Sequence, residues 1–328
     1  MELWEEPNSN NNYTLFLPLF QHKGMSSLSD PYQDSRLSIS VTNKFHTLWN
    51  DSPKTDILTD LTTRLHELLI IFSRLIVIGQ KMVTTAEKSA YYDLVTDMDL
   101  GIEYLLRQWF SKHYPDHKII GEEFGQDYIT PTDYCWYIDP IDGTSNYSKG
   151  KNQYCLNLGC VHNGKPFVTF VCFPANEKIY MASTNSESIT DITPKKRICS
   201  EFYSVRHREV AYFEKINTMI QYERLKNNAL GYSLTQMYLG DCSIFYKVDV
   251  KFWDIIAPLC LLSLTQSHFW DIELITYDNI CISPFSNNAS FINYLNKQHQ
   301  QDCRVGLLTV TPKHQPEFKS IIKDCIYE

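Results

Sequence analysis

The sequence predicts a layered α/β fold, and three features lead there. Apolar residues recur at helical spacing over residues 57–76 and 98–109. Two apolar runs, Tyr154 to His162 and Phe167 to Phe173, flank Asn163-Gly164, a dipeptide suited to a tight hairpin turn. Beyond them, strand-like and helix-like stretches alternate to the end of the chain, which implies stacked layers of α and β structure.

The elements follow in order. Residues 1–52 read as an extension, with a polar cluster at Asn8 and Asn10 to Asn12 and turn formers from Gly24 to Asp34. Scattered aromatic residues would let part of it dock on the body; a tail without chemistry is the competing reading. The body is expected over 53–328, with an N-terminal half to 183 and a C-terminal half from 184. Ile57, Leu61, Leu65, Leu68, Leu69, Phe72, Leu75 and Ile76 mark a first helix. Met98, Ile102, Leu105, Leu106 and Trp109 mark a second, with Thr96 as its expected N-cap. A short strand over 118–120 runs into Gly121-Glu122-Glu123, and another is expected over 134–138. The hairpin continues into a third strand near 178–182, followed by a polar loop over 183–200. Then come a strand near 210–213, a helix near 215–225, a helix from about Ser233, a strand at 243–247 and a helix at 254–264. Strands near 269–276 and 304–310 and a helix near 316–326 complete the expectation.

Bulk properties narrow the class. The chain has 328 residues, 43% of them hydrophobic, enough for a sizeable core. A net charge of -8 argues against a nucleic-acid polymer as partner, because that binding rests on Lys and Arg neutralising phosphates. The ten cysteines contain no CxxC pair and sit mostly in apolar runs, as buried hydrophobes do. A reduced, cytoplasmic protein is the expectation, since disulfide frameworks belong to short secreted chains. The opening Met-Glu-Leu-Trp-Glu-Glu lacks the pattern of a signal peptide. The longest apolar stretch, Leu68 to Ile78, is interrupted by Ser73 and Arg74 and is too short to span a bilayer.

The chemistry concentrates in Trp136-Tyr-Ile-Asp-Pro-Ile-Asp-Gly-Thr-Ser-Asn-Tyr147. Asp139 and Asp142 lie three residues apart at the end of an apolar run, and Gly143-Thr144 follow at once. Mg²⁺ takes oxygen ligands and keeps room for substrate phosphate. Backbone N–H groups at a helix start attract anions. The segment therefore suggests metal-assisted phosphate chemistry. Three other places could complete a site: Glu122-Glu123 past a strand, Asp99 on a helix, and Asp254 at the start of an apolar helix. Each has a plain alternative: a solvated turn for Glu122-Glu123, and helix caps for Asp99 and Asp254.

Taken together and in this order, the motifs resemble the inositol monophosphatase family. Asp139-Pro140-Ile141-Asp142-Gly143-Thr144, with Asn146 and Tyr147, matches its signature; Asp93-Leu94-Val95-Thr96 with Asp99 and Glu103, Gly121-Glu122-Glu123 and Trp253-Asp254 match its other elements. The resemblance covers about residues 55–328 and extends to the superfamily of fructose bisphosphatases and 3′-phosphonucleotidases. It implies an αβαβα sandwich, commonly a homodimer, that hydrolyses a small phosphorylated metabolite with Mg²⁺ and is sensitive to Li⁺. Glu122, Asp139 and the Ile141 carbonyl look like ligands of a first Mg²⁺, and Asp139, Asp142 and Asp254 like ligands of a second. A weaker third position would lie near Glu122. Gly143 and Thr144 would meet the phosphate, Thr144 and Asp99 would orient the attacking water, and Lys88 would stand for a lysine on a mobile loop.

The substrate side departs from the family. Its Glu seven residues before the Trp-Asp aspartate is Lys247 here, with Lys251 closer still, and its Gly-Thr-Ala element is Gly231-Tyr232-Ser233. An ammonium favours anions where a carboxylate would accept hydroxyl hydrogen bonds. A second phosphate or carboxylate on the substrate is therefore expected to meet Lys247; a lysine turned to solvent is the alternative. Tyr232 could narrow the pocket, with Ser233 beside it. Residues 183–199, where the family is glycine-rich, contain no glycine. Two other functions stay open: a sugar bisphosphate or 3′-phosphonucleotide phosphatase, and a non-catalytic descendant that binds a ligand or partner.

Overall fold

The computed structural model describes residues 39–53, 56–85, 91–127, 129–130, 132–189, 194–200, 222–265, 271–276, 281–282 and 305–310. Lys88, the strand expected near 210–213 and the helix expected at 316–326 lie outside the described residues.

Helix α1 (Ile39–Asn50) is followed by α2 (Ile57–Asp60), a π-helical turn (Leu61–Leu65), α3 (His66–Thr85) and α4 (Tyr91–His113). The first sheet then forms from β1 (Lys118–Gly121), β2 (Gly125–Gln126), β3 (Tyr134–Asp142), β4 (Cys155–His162), β5 (Lys165–Phe173) and β6 (Lys178–Ser183), with the four-residue α5 (Thr144–Tyr147) after β3. Its order is β2-β1-β3-β4-β5-β6, antiparallel except for the β1–β3 pair. The β4–β5 turn takes positive φ at both Asn163 (52°) and Gly164 (68°), as the dipeptide predicts. The second half contains β7 (Arg197–Ser200), β8 (Glu223–Leu225), α6 (Leu230–Tyr238), β9 (Ile244–Val250), α7 (Phe252–Thr265), β10 (Asp271–Thr276), β11 (Cys281–Ile282) and β12 (Val305–Val310). Its sheet runs β11-β10-β12-β9-β7-β8.

Strand period sorts side chains to two cores. Trp136 and Ile138 of β3 join the helices α1–α4 on one face. Cys135 and Tyr137 point to the other, where α6 and α7 lie between this sheet and Cys199 and Phe245 of the second sheet. The described residues thus stack as helices, sheet, helices, sheet, a layered α/β fold. Seven described cysteines are free and buried, as apolar context suggests. Among the described residues no helix is long and apolar enough to cross a membrane.

The stretch read as an extension docks in part on the body, as its aromatic residues allow: helix α1 lies inside it, and its Phe45, Leu48 and Trp49 are buried in the first core. Arg64 fixes it there, donating to the carbonyls of Leu48 (3.0 Å) and Asp51 (2.7 Å) while pairing with buried Asp60 at 2.9 Å. Three boundaries differ from the sequence reading. Helix α4 begins at Tyr91, so Thr96 is inside it and not its cap; no Gly or Pro interrupts residues 91–100. Strand β7 occupies the end of the expected polar loop because β9 pairs with Ile198 and Cys199. Residues 223–225, the end of the expected helix, form strand β8 instead, an edge held by parallel pairing to β7.

Two close contacts carry measurable consequences. Gly159 in β4 lets α7 lie directly on the strand; a Cβ there would come within 2.8 Å of the Ala257 Cα. Gly159→Ala should lower stability by about 1–3 kcal/mol through this overpacking, read from the midpoint of a urea transition. His117 accepts the Trp136 indole N–H on Nδ1 at 2.9 Å. Indole only donates, so Nδ1 must be unprotonated. Burial pushes the His117 pKa down to about 4. The folded state therefore binds fewer protons than the unfolded one, and this contribution is full above the ordinary histidine pKa of about 6.5 and is lost as pH falls towards 4. His117→Gln should flatten the decline of stability with pH across that window.

Candidate active site

Strand β3 ends in the carboxylate pair. Asp139 opposes Asn157 on β4 and Asp142 opposes Cys155, so three steps on β3 match two on β4. In a regular strand residues three apart face opposite sides; the extra residue turns Asp139 and Asp142 towards one cavity. Pro140 sits inside the irregularity, where a missing N–H is tolerated. Gly143 then takes φ 88° and ψ 36°. A side chain there would be strained, and its Cβ would stand 2.7 Å from the Ala229 Cβ.

Three carboxylates from three elements converge: Glu122 after β1, Asp139 on β3, and Asp254 in the first turn of α7. One oxygen of each lies within 4.8 Å of the others. Asp139 is buried, and its Oδ1 has no hydrogen-bond partner. Burial, then the charges of Glu122 and Asp254, hold the Asp139 carboxyl far above the usual range. Burial and Asp142 do the same to Asp254. Glu122 reaches solvent through the cavity, yet the protein around it removes enough hydration to raise its pKa, with Lys251 opposing. All donors are oxygen, which suits a hard cation. An orphaned buried oxygen among repelling carboxylates is what such an ion would satisfy, so the residues fit Mg²⁺.

Two carboxylates act as braces. Glu103, fully buried on α4, accepts from the Glu123 N–H (2.9 Å), the Phe124 N–H (3.3 Å) and Arg107 Nε (2.8 Å), fixing the turn that carries Glu122. Asp142 accepts from the N–H groups of Leu230 (2.8 Å) and Tyr232 (3.1 Å) and from the Cys155 thiol (3.3 Å). These amides open α6, whose N-cap, Ala229, has no side-chain acceptor; Asp142 caps that helix from another strand. Asn146 joins the same junction, donating at 2.6 Å to the carbonyls of Gln153 and Asn227. Tyr147 donates at 2.8 Å to the Ile76 carbonyl.

A cavity of about 330 Å³ opens over this cluster, lined by Glu122, Asp139, Ile141, Asp142, Gly143, Thr144 and Ser145 on the first-sheet side. Asp254 completes that side from α7, and Lys226, Asn228 and Lys247 come from the second half of the chain. Thr144 donates its hydroxyl to the Ile141 carbonyl at 3.0 Å and makes no hydrogen bond to Asp99. Asp99 is buried on α4; burial, then Glu123 and Glu122, raise its pKa well above normal. Tyr232 and Ser233 are not brought to the cavity. The Tyr232 ring stacks on Phe173 at 4.4 Å, where it finds apolar cover, and the Ser233 hydroxyl accepts from Asn227 at 3.0 Å. Lys251 lies over the Trp253 ring at 5.8 Å and does not line the cavity. Lys247 does line it, although only 8% exposed. Sequence reasoning missed Lys226, Asn228 and Ser145 as lining residues. No spacing rule reaches Lys226 and Asn228, and Ser145 carries no signal of its own beside Gly143 and Thr144.

The sequence profile of the inositol monophosphatase family matches residues 52–263. A relative from Neisseria meningitidis, named putative Nus factor SuhB, is 34% identical over 113 residues, 32% of this chain and 43% of its own length. The chain thus spans less than half of that relative. Among solved structures, inositol monophosphatase II from Staphylococcus aureus superposes with a TM-score of 0.56 at 16% identity, covering 76% of this chain and 91% of the other. An IMPase/NADP phosphatase complexed with Mg²⁺ and phosphate gives 0.52 at 20% identity, covering 69% and 79%. These likenesses show the fold.

Removing the Glu103 brace tests the build of the site. Glu103→Ala leaves two amide donors and Arg107 without their acceptor and should cost about 3 kcal/mol of stability. It should also raise the Mg²⁺ concentration at which the melting temperature responds, because the Glu122 turn is no longer fixed; thermal shift against Mg²⁺ reads both.

Proposed function

The chain belongs to the inositol monophosphatase family, and on that premise we propose that it hydrolyses a small phosphate monoester with the help of Mg²⁺. The observation that carries this reading is the convergence of Glu122, Asp139 and Asp254 within 4.8 Å beside an orphaned buried Asp139 oxygen. Those three residues would hold the ion. The Ile141 carbonyl could join Glu122 and Asp139 about that ion, and Asp142 could join Asp139 and Asp254 about a second one, since an oxygen that already accepts one hydrogen bond keeps another lone pair. Bound there, Mg²⁺ would activate water and neutralise charge on the phosphate oxygens and the leaving group.

The chain's own residues supply position and polarity. Gly143, Thr144 and Ser145 line the cavity beside the carboxylates and would seat the phosphate. Gly143 keeps the backbone close, since no side chain intrudes. The exposed Thr144 hydroxyl, held at rest by the Ile141 carbonyl, is placed to orient a water once it turns into the cavity. Asp99 would act behind this set, its environment favouring the protonated carboxyl in the absence of a cation. Catalysis on this reading is mainly preorganisation.

Phosphate release from a panel of monoesters should require Mg²⁺ and vanish with chelator. Asp139→Asn should lower it by about 100-fold or more, the scale of losing one charge-stabilising group, with the circular dichroism spectrum unchanged. Turnover that survives Asp139→Asn, or a folded chain inert towards every ester, would count against the phosphatase and favour a ligand-binding protein.

A further inference from the structure

The two sheets contribute opposite charges to the cavity. The first sheet and α7 bring Glu122, Asp139, Asp142 and Asp254; the second sheet brings Lys247 from β9, and Lys226 directly follows β8. Strands β8 and β9 both flank β7, so the two lysines come from one sheet, on strands separated by β7 alone. Lys247 is held there at 8% exposure. Burying an ammonium is costly unless an anion compensates it.

From this arrangement we propose that the substrate is a small bisphosphate, whose second phosphate sits between Lys226 and Lys247 while the first lies over the carboxylates. The inference rests on the phosphatase reading and adds the substrate class. Charge supports it: two ammonium groups match the roughly -2 of a phosphate monoester at neutral pH. The phosphate that reacts has no need of them, since Mg²⁺ and the residues about Gly143 would meet its charge. Size supports it as well. A cavity of about 330 Å³ lies at the small end of ligand pockets, which span about 300–1,000 Å³. That suits a sugar or polyol skeleton more than a dinucleotide. Asn228, also on the second-half wall, adds an amide able to donate to or accept from hydroxyls between the two phosphates.

The test compares esters of one skeleton, fructose 1,6-bisphosphate and fructose 1-phosphate, with Mg²⁺ and the whole chain. The wild type should favour the bisphosphate in kcat/KM by about tenfold or more, the scale of a charge-assisted contact. Lys226→Met and Lys247→Met keep most of the side-chain length and remove the charge. Each should reduce the ratio, and the double variant should bring it near one. The same ratio is measured by calorimetry as binding in Ca²⁺, which reads the subsite without turnover. Equal preference in the wild type, or a ratio unchanged in the double variant, overturns the proposal; the latter is what lysines serving only to balance the carboxylates would give. Loss of turnover on both esters with the binding preference intact would sink the phosphatase reading and leave the second-phosphate site standing.

Discussion

Everything in this molecule is arranged around a repulsion. Glu122, Asp139 and Asp254 hold oxygens within 4.8 Å of one another. Two ionised groups at that distance repel by about 3–4 kcal/mol at an effective dielectric near 20. That exceeds the worth of any single helix cap, about 1 kcal/mol. The cluster can persist only if it takes up protons or a cation and if its supports are rigid. The raised pKa values show the first response. The second is visible in three independent constraints: Glu103 fixing the Glu122 turn, Asp142 tying β3 to α6, and Gly159 seating α7 on β4.

These supports explain why a site made from distant segments is held together. Glu122 and Asp139 lie on neighbouring strands, since β1 and β3 pair in parallel with Gly121 opposite Ile138. Asp254 comes from a helix packed on β3, β4 and β5. Asn157, fully buried on β4, donates to the Asp254 carbonyl at 3.4 Å. Gly231 leaves room for that amide, because a Cβ would stand 2.3 Å from its nitrogen. The apolar cores therefore set the spacing of the charges, and a few buried polar contacts set their direction.

Sequence made the first-sheet half of the site legible because its chemistry is local. Asp139, Asp142, Gly143 and Thr144 lie within six residues, and a bulge with a left-handed glycine is the backbone such a run requires. Glu122 and Asp254 needed order along the chain as well as type. The helix start at Tyr91 and strand β7 were less legible, since each depends on partners far away in sequence. Tyr232 shows the same limit at the site. Its position beside Gly231 suggested a pocket wall, but the backbone N–H is what faces the cluster, while the ring turns back to Phe173. Type and position named the residue; only packing decided which end of it mattered.

The same reasoning separates what the two sheets do in the proposed enzyme. The carboxylate wall tolerates little change, because the Glu122 turn and Asp142 are tied into contacts that also hold the fold. Asp142 serves the cavity and caps α6 at once, so altering it disturbs both. Lys226 and Lys247 stand on the other wall of the cavity and belong to none of these braces. Charge on that wall can change from acidic to basic while the metal-binding wall keeps its form. A chain of this family with a lysine at position 247 can thus retain the reaction proposed for it and direct that reaction to a more anionic substrate.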